Sequence, residues 1–99
     1  MSYRLAIRPE AEEEMHEAFD WYEQRRKGLG DDFLQSVEDG LIAIQLRPES
    51  FPIVHMHVRR TLIRRFPFGI YFTIESGVIE IIAVYHGKRD PHGWHRRVR

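Results

Sequence analysis

Phe68-Gly69-Ile70-Tyr71-Phe72-Thr73-Ile74-Glu75-Ser76-Gly77-Val78-Ile79-Glu80-Ile81-Ile82-Ala83-Val84-Tyr85-His86 reads as a β-hairpin. Two runs rich in β-branched and aromatic residues, 68–75 and 78–86, flank the turn signal Glu75-Ser76-Gly77. The second run is apolar on both faces, which places it inside a sheet rather than at an edge. Upstream, the same texture predicts short strands over 51–54 and 59–65, so this half of the chain is an antiparallel meander. Further upstream the period changes from two to 3.6.

Ala11, Met15, Ala18, Phe19 and Tyr22 form one helical stripe. Pro9 suits the first helical position, and Glu10, Glu12, Glu13 and Glu14 load the first turn with the charge that a helix dipole favours there. Arg25-Arg26-Lys27 before Gly28 reads as the C-terminus. A second helix is expected from Asp31 or Asp32, with Phe33, Val37, Leu41 and Ile44 as its stripe. It ends at Arg47-Pro48, because a residue before proline avoids the helical region. Gly40 inside it is expected to mark close approach of the first helix. The short break at 28–30 implies an antiparallel hairpin. Tyr3, Leu5 and Ile7 alternate as a strand expected to join the sheet. The expected architecture is α+β: an N-terminal strand, an antiparallel helical hairpin and an antiparallel β-meander packed on it, as a single domain over 1–99.

A chain of 99 residues closes one core, and 42% hydrophobic with 30% charged residues is ordinary for a globular protein. No apolar run approaches the roughly 20 residues of a membrane span. Met1-Ser2-Tyr3-Arg4 lacks a signal-peptide layout, so a cytosolic location is expected. With no cysteine, disulfides, thiolate catalysis and cysteine zinc sites are excluded. Net charge is zero, yet residues 1–50 carry six Lys/Arg against twelve Asp/Glu and residues 51–99 nine against three. This −6/+6 asymmetry suits either a cationic surface for an anionic partner or two halves that neutralise each other, and charge alone does not decide.

The basic cluster is Arg59, Arg60, Arg64 and Arg65, with Lys88, Arg89, Arg96, Arg97 and Arg99 later. On a strand, Arg59 and Arg65 share one side and Arg60 and Arg64 the other. They are either a surface for phosphate or an acidic partner, or a charged strand edge. His55, His57, His86, His92 and His95 have no HExxH spacing, and no carboxylate or cysteine accompanies the His55/His57 pair, so no metal is expected. In Tyr85-His86-Gly87-Lys88-Arg89-Asp90, a histidine beside a tyrosine and two cations has the chemistry to cleave RNA without metal. The simpler alternative gives Gly87 the turn, His86 a backbone hydrogen bond and Asp90 an ion pair with Arg89. Trp21 is either a rim residue or part of a binding surface, and Trp94 near the tail is the other outlying tryptophan.

Over about residues 3 to 95 the chain resembles the RelE/ParE superfamily of bacterial type II toxin–antitoxin toxins. The residues that carry the resemblance are Arg64-Arg65-Phe66-Pro67-Phe68-Gly69-Ile70-Tyr71-Phe72, Ala83-Val84-Tyr85-His86-Gly87-Lys88-Arg89-Asp90-Pro91, and Asp20-Trp21-Tyr22-Glu23 with Phe33-Leu34. The resemblance implies a growth-inhibiting toxin of the plasmid-stabilisation type, needing no cofactor and neutralised by an antitoxin encoded beside it. ParE-like members have a long helical hairpin and inhibit DNA gyrase. RelE-like members cut mRNA on the ribosome.

On the RNA-cleaving pattern, Arg60 stands at the strand lysine and Arg89 at the late-loop arginine. Leu62 and Gly69 replace two other cations, and His95 falls near the C-terminal tyrosine. The incomplete set favours the gyrase inhibitor. The alternative is an endonuclease using His86, Arg89, Arg60 and Tyr85. Target or antitoxin contacts are expected at Arg59, Arg60, Arg64, Arg65, Trp21, Lys88 and Trp94. The antitoxin is expected to be an amphipathic, partly disordered segment whose acidic residues meet the arginines.

Overall fold

The computed structural model describes residues 3–98; Met1, Ser2 and Arg99 lie outside them. The elements run β1 (Arg4–Ile7), α1 (Pro9–Arg25), α2 (Leu29–Leu46), a 3₁₀ turn (Pro48–Ser50), β2 (Ile53–His55), β3 (Val58–Leu62), β4 (Phe68–Glu75), β5 (Val78–His86) and α3 (His92–His95). The five strands form one sheet in the order β1-β5-β4-β3-β2, in which β1 lies parallel to β5 and every other pair is antiparallel. Strand β5 is therefore internal, as its two apolar faces require. Positive φ at both Ser76 and Gly77 is what the tight primed turn between β4 and β5 needs.

The helical hairpin closes through a side chain. Gly28 at φ +89° precedes α2 and has no capping group of its own. The Glu23 carboxylate of α1 accepts the amides of Gly28 and Gly30, both at 2.9 Å. That cap starts α2 at Leu29, two residues before the position the acidic pair Asp31-Asp32 suggests. The close approach of the two helices is at Gly30, where a Cβ would lie 2.7 Å from the Phe19 ring. Gly40 instead faces the sheet, against Ile70, which corrects the expectation that it marks helix-to-helix contact.

Strand β3 also differs from its expected extent. It stops at Leu62, so Arg64 and Arg65 lie in the β3–β4 turn with Arg65 at φ +72°, and the shared-face argument for Arg59 with Arg65 and Arg60 with Arg64 does not hold. The cause is the buried pair Ile63 and Phe66, which pins the turn. Phe66 packs edge-on to Tyr22 and Phe33 at 4.8 and 5.5 Å between ring centroids.

The two faces of the sheet carry separate cores. On the helix side, Phe33, Val37, Ile44, Ile70, Phe72, Ile79, Ile81 and Val84 close over one another. On the far side, Val58, Tyr71, Ile82, Ala83 and Tyr85 are covered by Trp94 of α3. A β-bulge allots the residues: pairing steps from Tyr71–Ala83 to Phe72–Ile81, and Ile82 is the extra residue. Ile81 and Val84 thus join the helix side, and Ile82, Ala83 and Tyr85 the far side.

Candidate functional site

Pro9 ends β1 and turns the chain into α1. Strand β5 continues past its last β1 partner, Ile81, which faces Ile7. Beyond it, the β5 backbone is satisfied by side chains. Val84 donates its amide to Glu14 Oε1 at 3.1 Å, and Ile82 offers its carbonyl to Arg97 at 3.0 Å. Glu14 and Arg97 then bind each other through two parallel bonds of 3.1 and 2.8 Å. Glu14 is 7% exposed. This bond to Glu14, against the opposing effect of burial, holds the Arg97 guanidinium above its usual pKa range.

Beside this pair, a cleft of about 290 Å³ opens between α1 and the end of the β4–β5 hairpin. Its walls are Ala18, Trp21, Tyr22, Phe68 and Val84, with Glu14, Glu17, His86 and Arg89 around them. Trp21 is 52% exposed and carries the Arg25 guanidinium on its ring at 3.8 Å. Burial raises the pKa of Tyr22 in the cleft floor. A second hollow of about 190 Å³ continues along α1, lined by Glu10, Glu13, Glu14, Glu17, Arg89 and Arg97.

Of the residues expected to act together, His86 and Arg89 share this cleft. The His86 ring stands edge-on to Phe68 at 5.2 Å, and its Nδ1 accepts the Lys88 amide at 3.0 Å, the backbone bond anticipated from the simpler reading. With Nδ1 accepting, the neutral ring carries its proton on Nε2 and presents a donor to the cleft. Arg89 lies 3.9 Å from Glu14 and 4.6 Å over the Tyr85 ring. Tyr85 is 2% exposed on the far side and donates its hydroxyl to the Asp90 carbonyl at 2.8 Å. Arg60 pairs with Tyr71 and so shares the far face, its stem lying over Gly69. The sheet therefore stands between His86 and the pair Arg60 and Tyr85.

The remaining candidates are dispersed. Arg59 donates to the carbonyls of Glu49 and Phe51 at 3.0 and 2.7 Å. Arg65 pairs with Asp32 at 3.6 Å, while Arg64 and Lys88 are exposed. Trp94 is 2% exposed within the far-side core, which closes its ring to a partner and corrects the expectation of a surface tryptophan. Its indole N–H has no partner among the described residues. Asp90 bonds the amide and ring of His92 rather than Arg89, and the amide bond first, then the ring, holds its carboxyl below the usual range. His95 stacks on His55 at 3.8 Å, away from His86. Among the described residues no group of three or more His, Asp or Glu is placed to hold a metal ion, and no helix is long and apolar enough to cross a membrane.

Sequence reasoning passed over Glu14 and Arg97. Glu14 falls between Ala11 and Ala18 at spacings of three and four, so it lies on the buried stripe rather than with the dipole-favoured acids. An acid on an apolar stripe was the available signal, and a buried carboxylate requires a partner.

A model of the ParE toxin of the type II toxin–antitoxin system parDE matches residues 5–91. No curated protein matches the chain. Among solved structures, the chain is similar to a chromosomal ParDE toxin–antitoxin system from P. aeruginosa, with a TM-score of 0.73 and 18% identity over 86% of this chain and 96% of that one. It is also similar to an arginine-to-alanine double mutant of E. coli toxin RelE in the free state, with a TM-score of 0.71 and 13% identity over the whole of both chains. The same RelE mutant in complex with an antitoxin RelBc peptide gives 0.66 and 15% identity over 100% of this chain and 97% of that one. At these identities the solved structures establish the fold.

Two predictions follow from the geometry of this region. Removing one partner of the buried pair, as in Glu14→Gln or Arg97→Met, lowers unfolding stability by about 3 kcal/mol, and the double variant costs much less than the two together. Additive losses in urea denaturation would show that the pair is not coupled. For His95, burial first and then the neighbouring His55 and His92 lower the pKa, outweighing Asp90. The unfolded chain therefore takes up that proton first, so stability is full above the ordinary histidine value of about 6.5 and falls as pH drops below it toward the folded value. His95→Gln flattens that loss in thermal melts across this range; an unchanged pH profile contradicts it.

Proposed function

The chain belongs to the ParE toxin family of type II toxin–antitoxin systems, and from that premise we propose that it arrests growth by binding DNA gyrase, without cutting nucleic acid, until its antitoxin sequesters it. The observation that carries this reading is the placement of the nuclease candidates. RNA cleavage needs an acid, a base and cations converging on one phosphate within hydrogen-bond reach. His86 faces the α1 cleft, Arg60 lies on the opposite face of the sheet, and Tyr85 is buried there with its hydroxyl engaged. The Nδ1 of His86, the lone pair through which a neutral imidazole with its proton on Nε2 would act as a base, is taken by the Lys88 amide. The 17-residue α1 and 18-residue α2 form the long hairpin expected of the gyrase-directed group.

A partner that folds onto the toxin is supported by what is exposed. Trp21, Ile42 and Leu46 on the hairpin and Ile53, Met56 and Leu62 on the β2–β3 edge are more than half exposed and offer a folding partner apolar surface to cover. One observation keeps the nuclease alternative in view: His86 and Arg89 do share a cleft beside Glu14. Under the gyrase reading, His86→Ala and Arg89→Ala keep at least about half of the growth-inhibiting activity, since neither residue does chemistry. A loss of roughly a hundredfold or more from either variant, with the fold intact by circular dichroism, would favour the endonuclease.

A further inference from the structure

The cleft and the hollow beside it share Glu14, Glu17 and Arg89, so they form one groove along α1. Its two ends differ in chemistry. One is apolar, walled by Ala18, Trp21, Tyr22 and Phe68. The other sets the carboxylates of Glu10, Glu13, Glu14 and Glu17 against only two guanidiniums, Arg89 and Arg97. Both guanidiniums approach Glu14, and Glu10 is paired with Arg8 at 3.4 Å. Glu13 and Glu17 are exposed and form no ion pair among the described residues.

The arginines first expected to meet an acidic partner are in part committed elsewhere, Arg59 to two carbonyls and Arg65 to Asp32. The apolar anchor point, with the Arg25 guanidinium on its Trp21 ring, thus lies on the same helix as two carboxylates in no ion pair among the described residues. An exposed tryptophan beside a small apolar cleft is the kind of place where a few residues carry most of a binding energy.

Resting on the antitoxin reading above, we propose that the antitoxin segment filling this groove carries an apolar anchor over Trp21 and Phe68 and a lysine or arginine over Glu13 and Glu17. The helix sets the spacing. Glu17 precedes Trp21 by four residues and Glu13 precedes it by eight, about 6 and 12 Å along the axis. A helical antitoxin segment meets this by placing its cation one to two turns from the anchor. The carboxylates then select partners as well as bind them, because an acidic residue at that position meets like charge in a partly desolvated groove. Glu13 and Glu17 are pairing-specificity residues on this account.

The test is titration calorimetry of the whole chain with the antitoxin from the adjacent reading frame. Wild type is compared with the double variants Glu13→Lys/Glu17→Lys and Glu13→Gln/Glu17→Gln and with the single control Glu75→Lys, an exposed acid at the β4–β5 turn that lines neither part of the groove. Charge reversal in the groove is expected to weaken binding by about 30-fold or more, with the glutamine pair in between and Glu75→Lys within about threefold of wild type. The isosteric glutamine variant keeps the test decisive if reversal disturbs α1. Equal or tighter binding by both double variants overturns the groove assignment while leaving the antitoxin reading intact. If the wild-type chain itself binds no antitoxin, that reading fails and the inference fails with it.

Discussion

The ion pair between Glu14 and Arg97 is the constraint on which the rest of this structure depends. Proline at position 9 ends β1 while β5 still has backbone groups to satisfy, and among the described residues no further strand covers that edge. A buried amide and carbonyl without partners would each cost about 1–3 kcal/mol. Glu14 and Arg97 supply those bonds and neutralise each other in doing so. The same contact ties α1 to the C-terminal segment and so brings Trp94 over the far-side core. It also fixes the face of α1 that presents Ala18 and Trp21, which makes the cleft. Fold and cleft hang on one carboxylate.

Strand geometry supports the proposed reading. Adjacent residues on a strand point to opposite faces, so Tyr85 and His86 leave β5 on opposite sides although they are neighbours in sequence. The bulge at Ile82 shifts the alternation once and sends Ala83 and Tyr85 to the far side. Arg60 follows Tyr71 there through its register. What remains on the helix side is an aromatic cleft with a histidine and an arginine at its rim, beside a run of acids. Such a surface is equipped to hold a partner's side chains.

Much of this was legible in the residues. The bounds of β4 and β5, the proline that starts α1 and the proline that stops α2 follow from local rules about turns and φ angles. The α+β order and the family resemblance followed as well. What was not legible depends on distant partners. The start of α2 is set by Glu23 from the other helix. The end of β3 is set by an aromatic cluster spanning Tyr22, Phe33 and Phe66. Trp94 read as a surface residue because α3 is a single short turn whose only stripe is that one ring. Arg97, 83 residues from Glu14, looked like one more basic tail residue.

The central claim, that this fold inhibits by binding and not by cutting, is tested most directly by mapping mRNA 5′ ends across the transcriptome minutes after the chain is induced without its antitoxin. The account predicts growth arrest with no new ends inside translated codons. New ends clustered within codons, at positions set by the reading frame, would contradict it and return His86 and Arg89 to the chemistry.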